Sequence, residues 1–237
     1  MFKNKPFQIN IIFADYKQKQ DNMLKNKNPL MNTERLLAFS DGVFAIAITI
    51  LVLEIKLPKH EDLMPPHGLY NYLCHLWPSY LSYVLSFFVI GVYWSNHHWL
   101  FTFVTKTNHV LNMLHIWFLM GISFMPFTTA ILGEFILFDE YKNAAVTACC
   151  IGFLLPVPPL FILYLYATHN NRLTEINLNK QFINNQKYKL IAGLVFSTLA
   201  LCFSFNYPNV SLTIIGISMA TFLLPPASPV YDSIEKE

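Results

Sequence analysis

The sequence predicts an all-α, polytopic membrane protein with six transmembrane helices. Only 13% of its 237 residues are charged, whereas 54% are hydrophobic and 16% are aromatic. Soluble domains carry about 25% charged residues. Apolar runs with very few charges recur along the chain, and most approach the length of about 20 residues that a helix needs to cross a bilayer. The low charge content and the recurrent runs together indicate membrane spans.

Each predicted span ends where polar residues, Gly or Pro interrupt an apolar run. The six spans cover Leu36–Leu57, Leu73–His98, Val110–Gly133, Ala144–Ala167, Leu190–Asn206 and Val210–Leu224. Proline removes a backbone hydrogen bond inside a helix, so Pro126 is expected to kink the third span and the Pro156–Pro159 cluster the fourth. The last two spans are short for a bilayer, and a helical hairpin that turns at "NYPN" (206–209) fits them best.

The segments outside the spans predict the domain boundaries and the orientation. Residues 1–30 are rich in Lys, Asn and Gln and lack the long apolar region of a signal peptide, so we expect a disordered cytoplasmic tail. Residues 31–227 then form the membrane domain, and residues 228–237 form a cytoplasmic C-terminal tail. Lys and Arg are concentrated in the N-terminal tail and in the loop between the fourth and fifth spans. This distribution predicts a cell-membrane protein with both termini in the cytoplasm.

Polar residues stand at the start of the first span, where "RLLAFSD" (35–41) begins with an arginine and ends in a Ser-Asp pair. A carboxylate at this depth needs a partner or a function. The second span runs antiparallel to the first, so its "YWSNHHWLF" end lies at the same depth, and His109 and His115 open the third span on the same side. Because buried polar groups are almost always paired, we expect a polar cluster of Arg35, Ser40, Asp41, Trp94, His97 and His98.

One face of the first span carries a single hydroxyl among apolar residues. At about 100° per residue, this face holds Gly42, Ile46, Thr49, Ile50, Leu53 and Leu57. Asp41, Ile48, Val52 and Ile55 fall on the opposite face. A stripe of this kind is compatible with a narrow pathway made by several copies of the helix. The spacing alone favours ordinary packing, in which the Thr49 hydroxyl bonds to the carbonyl four residues earlier.

Several other function classes find no support in the residues. Adjacent histidines such as His97 and His98 point about 100° apart on a helix, and no second pair exists to complete a haem or metal site. The four cysteines form no CxxC pair, and no motif of the common hydrolases, nucleotide-binding enzymes or zinc proteases is present. We therefore expect no cofactor, no enzymatic activity and, given the formal net charge of +2, no nucleic-acid partner.

The first-helix motif resembles that of the transmembrane protein 175 family of potassium channels. The pattern R-x-x-x-F-S-D is carried here by Arg35, Phe39, Ser40 and Asp41. The resemblance continues in "FSDGVFAIAITILVLEI", in "WSNHHWLF" and in "MPFTTAILG" (Met125–Gly133). It extends over the six-span pattern, although the fourth to sixth spans carry little specific signal.

The resemblance implies a potassium channel assembled as a homotetramer in the lipid bilayer, because this chain holds a single copy of the motif. The first helix of each subunit would line a central pore. By position in the motif, Ile46 matches a hydrophobic constriction, which would act as a gate. Thr49 and Leu53 match the next layers, and Ile50 lies on the same face. Potassium ions in transit are then the only metal expected.

Two alternative functions remain open from the residues alone. A proton- or ion-coupled secondary transporter would use Asp41 with His97 or His98 as a proton relay, and an internal inverted repeat would favour it. No such repeat is visible in the sequence. A membrane redox protein would instead bind haem at His97 or His98, which an absorption spectrum of the purified protein would reveal.

Overall fold

The helices of the protein form one bundle, which a computed structural model describes at residues 31–59, 68–174, 178–223 and 228–231. The predicted N-terminal tail, and the predicted C-terminal tail beyond residue 231, lie outside these ranges. The helices are α1 (Thr33–Ile50), α2 (Gly68–His75), α3 (Trp77–Leu100), α4 (His109–Phe135), α5 (Asp139–Leu154), α6 (Val157–Thr168), α7 (Lys180–Ser204) and α8 (Pro208–Leu223). Two short 3-10 turns cover Leu51–Glu54 and His169–Asn171, and two-residue strands cover Met31–Asn32 and Lys106–Thr107.

The predicted class of helical membrane protein is confirmed. Within the described ranges, four segments are long and apolar enough to cross a bilayer: Thr33–Glu54, His109–Phe135, Asp139–Asn171 and Lys180–Ser204. Helices α2 and α3 together make a fifth candidate, which is bent by 42°. Pro78 lies in the first turn of α3, a position that a proline tolerates because its missing N–H needs no partner there. Helix α8 is apolar but has only 16 residues, so the count of six spans stays a prediction.

The observed helices differ from the predicted first and fifth spans. The first span does not continue as an α-helix to Leu57, because the chain tightens into a 3-10 turn after Ile50 and becomes extended at Ile55. Short 3-10 turns are common at helix ends, and Leu57 therefore lies outside the helical face. The fifth helix begins at Lys180, ten residues before Leu190. Hydropathy missed this polar first part, which Asn179 caps by accepting hydrogen bonds from the next amides.

Proline acts differently in the third and fourth spans. Helix α4 continues through Pro126 without a break, and the Thr129 hydroxyl donates to the carbonyls of Met125 and Pro126 at 2.9 and 3.1 Å. The fourth span is interrupted at Leu155 and Pro156, where α5 ends and α6 begins.

Helix α4 is the centre of the bundle and packs against α1, α3, α5 and α6. Its buried residues Phe118, Ile122 and Met125 belong to the main hydrophobic core. The approach of α5 is close enough to require glycine, because a Cβ at Gly152 would overlap the Thr128 Oγ1. This central position of α4 leaves α1 on one side of the bundle, packed along one face only.

Candidate functional site

Helix α1 has one face packed into the bundle and another exposed. The packed face holds Ser40, Phe44 and Ala47, which are buried against α3 and α4. On the other face Ile46 is 60% exposed, and Leu53 in the following 3-10 turn is 77% exposed. The exposed residues thus include the four that the sequence assigned to a pore: Ile46, Thr49, Ile50 and Leu53.

Thr49 carries the only hydroxyl on this exposed face of the described helix. Its Oγ1 donates a hydrogen bond to the Ile46 carbonyl at 3.0 Å. The acceptor is therefore the carbonyl three residues earlier rather than four, and the side chain is exposed rather than packed. Since the hydroxyl hydrogen is engaged, the lone pairs of the oxygen remain available to accept from water or to contact a cation.

A groove of 310 Å³ runs beside this face between α1 and α4. Its α1 wall includes Ile46 and Ile50, and its α4 wall includes Ser123 and Phe127. Glu54 stands at the end of the groove, one turn beyond Ile50. Apart from Glu54 and Ser123, the lining side chains are apolar, so the groove offers little to a polar ligand.

Three buried polar side chains connect α1, α3 and α4. The Ser40 Oγ lies 3.1 Å from the His115 Nε2, which lies 2.8 Å from the His97 Nε2. All three residues are completely buried. The His97 ring also stacks on Phe118, with ring centroids 5.4 Å apart and an angle of 7° between the planes. Ser40 and His97 were expected to meet, and His115 is the bridge between them that the site prediction omitted, although the sequence had placed it on the correct side.

The protons shared by Ser40, His115 and His97 can be assigned from the hydrogen bonds. The Ser40 hydroxyl donates to the Leu36 carbonyl at 2.8 Å, so its oxygen is left as an acceptor. Each neutral imidazole has one N–H and one acceptor nitrogen, and one N–H must lie between the two facing Nε2 atoms. The second proton then resides on the Nδ1 of His97 or of His115. Both Nδ1 atoms are buried without a hydrogen-bond partner among the described residues.

A second contact between α1 and α3 lies nearer the surface. The Trp94 Nε1 donates to the Asp41 Oδ1 at 2.9 Å, and the Trp94 ring stacks on His98 with centroids 5.6 Å apart. Asp41, Trp94 and His98 are all exposed. The residues expected in one cluster are therefore divided into a buried chain and an exposed contact.

Arg35 and Phe39 take part in neither contact. Both side chains are exposed, Phe39 by 57%. The ion pair within the described ranges joins Lys56 to Glu134 and does not involve Arg35. No group of three or more metal-ligating side chains occurs in those ranges either.

Known proteins resemble the chain over most of its length. The family model described as endosomal/lysosomal potassium channel TMEM175 matches residues 35–126. A potassium channel of Chamaesiphon minutus is 38% identical over 174 residues, which cover 72% of this chain and 84% of the relative. A potassium channel of Streptomyces collinus is 34% identical over 191 residues, covering 73% and 91%.

A solved structure shares the fold as well. It is the crystal structure of a lysosomal potassium-selective channel TMEM175 homolog from Chamaesiphon minutus. The TM-score is 0.71 and the identity 34%, over 81% of this chain and 96% of that one.

Proposed function

The chain belongs to the TMEM175 family, and on that basis we propose that it is a potassium-permeable channel of four identical subunits. In this proposal α1 of each subunit lines a central pore. Cyclic assembly of identical chains would bring the same α1 face of every subunit to the axis. The helices α3 to α8 would hold that face in place and contact the lipid.

The exposed face of α1 is the observation that supports this assignment. The α1 and α7 spans are each buried over 22% of their apolar stretch, against 50% for the α4 span, and of the two only α1 carries the R-x-x-x-F-S-D motif. Its unpacked face presents Ile46, Ile50 and Leu53 with Thr49 among them. An apolar lining with a single hydroxyl layer suits a pore that admits ions only partly stripped of water.

The Ile46 side chains would form the narrowest ring of this pore. Hydrophobic constrictions close by excluding water as well as by their width, so four isoleucines would act as a gate. The Thr49 oxygen would lie one turn beyond this ring, and its hydrogen is donated to the Ile46 carbonyl. Four such oxygens would replace part of the hydration shell of potassium, whose dehydration costs less than that of sodium.

The two polar contacts between α1 and its neighbouring helices would fix the orientation of α1 about its own axis. The buried chain fixes Ser40 to His115 and His97, and the exposed contact fixes Asp41 to Trp94. Because the contacts lie at adjacent positions on α1, a rotation of the helix would break both. Arg35 and Phe39 would then lie at the cytoplasmic end of the pore helix, with both chain termini on that side of the cell membrane.

Ion flux into proteoliposomes tests the function. Potassium entry should exceed entry into protein-free vesicles and should exceed sodium entry under the same gradient. The flux should persist without a pH gradient, whereas a proton-coupled transporter would require one. Native mass measurement of the same preparation should give a tetramer. A folded tetramer without potassium flux, or a functional monomer, would contradict the proposal.

A further inference from the structure

Three charged side chains lie around the end of the pore helix opposite Arg35: Glu54, Lys56 and Glu134. The Lys56 Nζ is paired with the Glu134 Oε1 at 3.0 Å. The pair joins the segment after α1 to the last turn of α4. Lys56 is thereby directed to α4, although it stands only two residues from Glu54.

Of these three charged residues, Glu54 is the one outside the Lys56–Glu134 ion pair. It lies in the 3-10 turn that ends the first span, its side chain is exposed, and it makes no ion pair with any described residue. Lys59, the next cation along the chain, has an interaction of its own. Among the described residues, no cation is paired with the exposed Glu54 carboxylate, whose negative charge faces solvent.

The position of Glu54 relates it to the exposed face of α1. Ile46, Ile50 and Glu54 follow one another at intervals of four residues and line the same groove beside that face. The row is apolar over its first two members and ends in the carboxylate. An ion that leaves the solvent and approaches Ile50 along this side thus passes Glu54 before it meets an apolar side chain.

We propose that Glu54 raises the cation concentration at the mouth of the pore and so increases conductance. This inference rests on the channel function proposed above, in which four copies of Glu54 surround the axis. Rings of carboxylates serve cation channels in this way, and clefts with one sign of charge raise the local concentration of the opposite ion. The Lys56–Glu134 pair contributes by holding the nearest cation on α4.

The role differs from that of a selectivity residue in two respects. An exposed carboxylate attracts potassium and sodium through the same long-range field, so it changes the current without changing the preference between them. The field is also screened by salt, since the Debye length falls from about 30 Å at 0.01 M to about 3 Å at 1 M. Both features give the proposal a signature that damage to the pore would not produce.

Single-channel recording in planar bilayers of neutral lipid provides the test. Glu54→Gln should lower potassium conductance about twofold at 0.01 M salt and by less than about a tenth at 1 M. The loss of conductance should appear when the low-salt solution is on the side of the bilayer that the C-terminal end of α1 faces. The potassium-to-sodium permeability ratio should stay unchanged, and Glu54→Asp, which keeps the charge, should conduct like the wild type.

Two further variants serve as controls. Glu140→Gln removes another exposed carboxylate from the first turn of α5, on the same side of the bundle but away from the groove, and should have no effect at either salt concentration. Lys56→Gln leaves Glu134 unpaired beside Glu54 and should raise conductance at low salt.

The outcomes separate this inference from the proposed function. A wild type that conducts no potassium would overturn both. If the wild type conducts, two results for Glu54→Gln would overturn the inference and leave the proposed function intact. The first is a salt dependence of conductance equal to that of the wild type, and the second is a loss of conductance that persists at 1 M salt. If Glu54→Gln yields no channel, an unchanged low-salt conductance in Lys56→Gln would overturn the inference instead.

Discussion

The Nε2 atoms of His97 and His115 lie 2.8 Å apart between α3 and α4, and both side chains are completely buried. The Ser40 Oγ of α1 lies 3.1 Å from the same His115 Nε2. One buried imidazole therefore connects the proposed pore helix to two helices of the scaffold. A buried polar group without a partner costs about 1–3 kcal/mol. Replacing any of these three buried side chains should therefore lower the stability of the protein.

Replacement of His97 by phenylalanine should destabilise the protein. His97→Phe retains a ring that can stack on Phe118 but leaves Ser40 as the only hydrogen-bond neighbour of the His115 Nε2 among the described residues. We expect a loss of about 1–3 kcal/mol, measured as a lower midpoint of thermal unfolding in detergent. His98→Ala is the comparison, because that ring is exposed. Equal shifts of the unfolding midpoint for the two variants would show that the buried His97–His115 contact adds nothing to stability beyond the loss of an exposed ring.

The hydrogen bond from Trp94 to Asp41 should position α1. Trp94→Phe removes the donor but keeps an aromatic ring beside His98, and Asp41→Asn keeps an oxygen that accepts the bond. We expect Trp94→Phe to lower the yield of tetramer and Asp41→Asn to leave it nearly unchanged. Size-exclusion chromatography and native mass measurement give both values. A normal yield from Trp94→Phe with altered ion preference would assign the bond to permeation instead.

A polar residue at the proposed constriction should increase conductance. Ile46→Asn keeps a side chain of similar length but allows water to wet the ring, so the barrier to ion entry falls. Ions would pass better hydrated, and the discrimination between potassium and sodium should weaken. Currents in planar bilayers at equal protein density measure both effects. Conductance and ion preference equal to the wild type would exclude Ile46 as the constriction.

The control for that variant is on the opposite side of the same helix. Ile48 is half-buried and packs against the main core. Ile48→Asn would bury an amide without a partner there, so it should reduce the yield of folded protein rather than change the properties of the remaining channels.

Removal of the Thr49 hydroxyl should reduce selectivity without a large gain in current. Thr49→Val has nearly the same volume but no oxygen, whereas Thr49→Ser keeps the oxygen and loses a methyl group. Reversal potentials under potassium and sodium gradients should shift for Thr49→Val and remain near the wild-type value for Thr49→Ser. A wild-type reversal potential in Thr49→Val would mean that the hydroxyl serves only its bond to the Ile46 carbonyl.

The close approach of α5 to α4 should not tolerate a side chain at Gly152. A Cβ there would overlap the Thr128 Oγ1 and would lie 2.9 Å from the Thr128 Cβ, so the helices must separate. Overpacking of this kind costs about 1–3 kcal/mol, and the thermal unfolding midpoint of Gly152→Ala should fall. Gly216→Ala provides the matched control in α8, because nothing lies within 4 Å of its added Cβ. Equal midpoints for the two variants would contradict the predicted clash.

The sequence by itself determined the class of the protein and its family. Low charge content and apolar runs predicted a helical membrane protein. Placing polar groups in hydrocarbon costs free energy, so segments that cross a bilayer are recognisable from their apolar composition alone. The R-x-x-x-F-S-D motif predicted the TMEM175 family, which the comparisons confirm. The α1 face that carries Ile46 and Thr49 was also visible, since helical periodicity follows from residue spacing alone.

The tertiary structure decided which side chains meet. The sequence predicted that His115 opens the third span at the same end as His97, but only the packing of three helices shows that it bridges Ser40 and His97. The 3-10 turn at Leu51–Glu54 was likewise hidden, because a hydrophobic pattern does not report where an α-helix tightens. Lys56 lies two residues from Glu54 in sequence, yet it pairs with Glu134 of α4. Partner choice depends on distances between helices, and those distances are set by the fold rather than by local spacing.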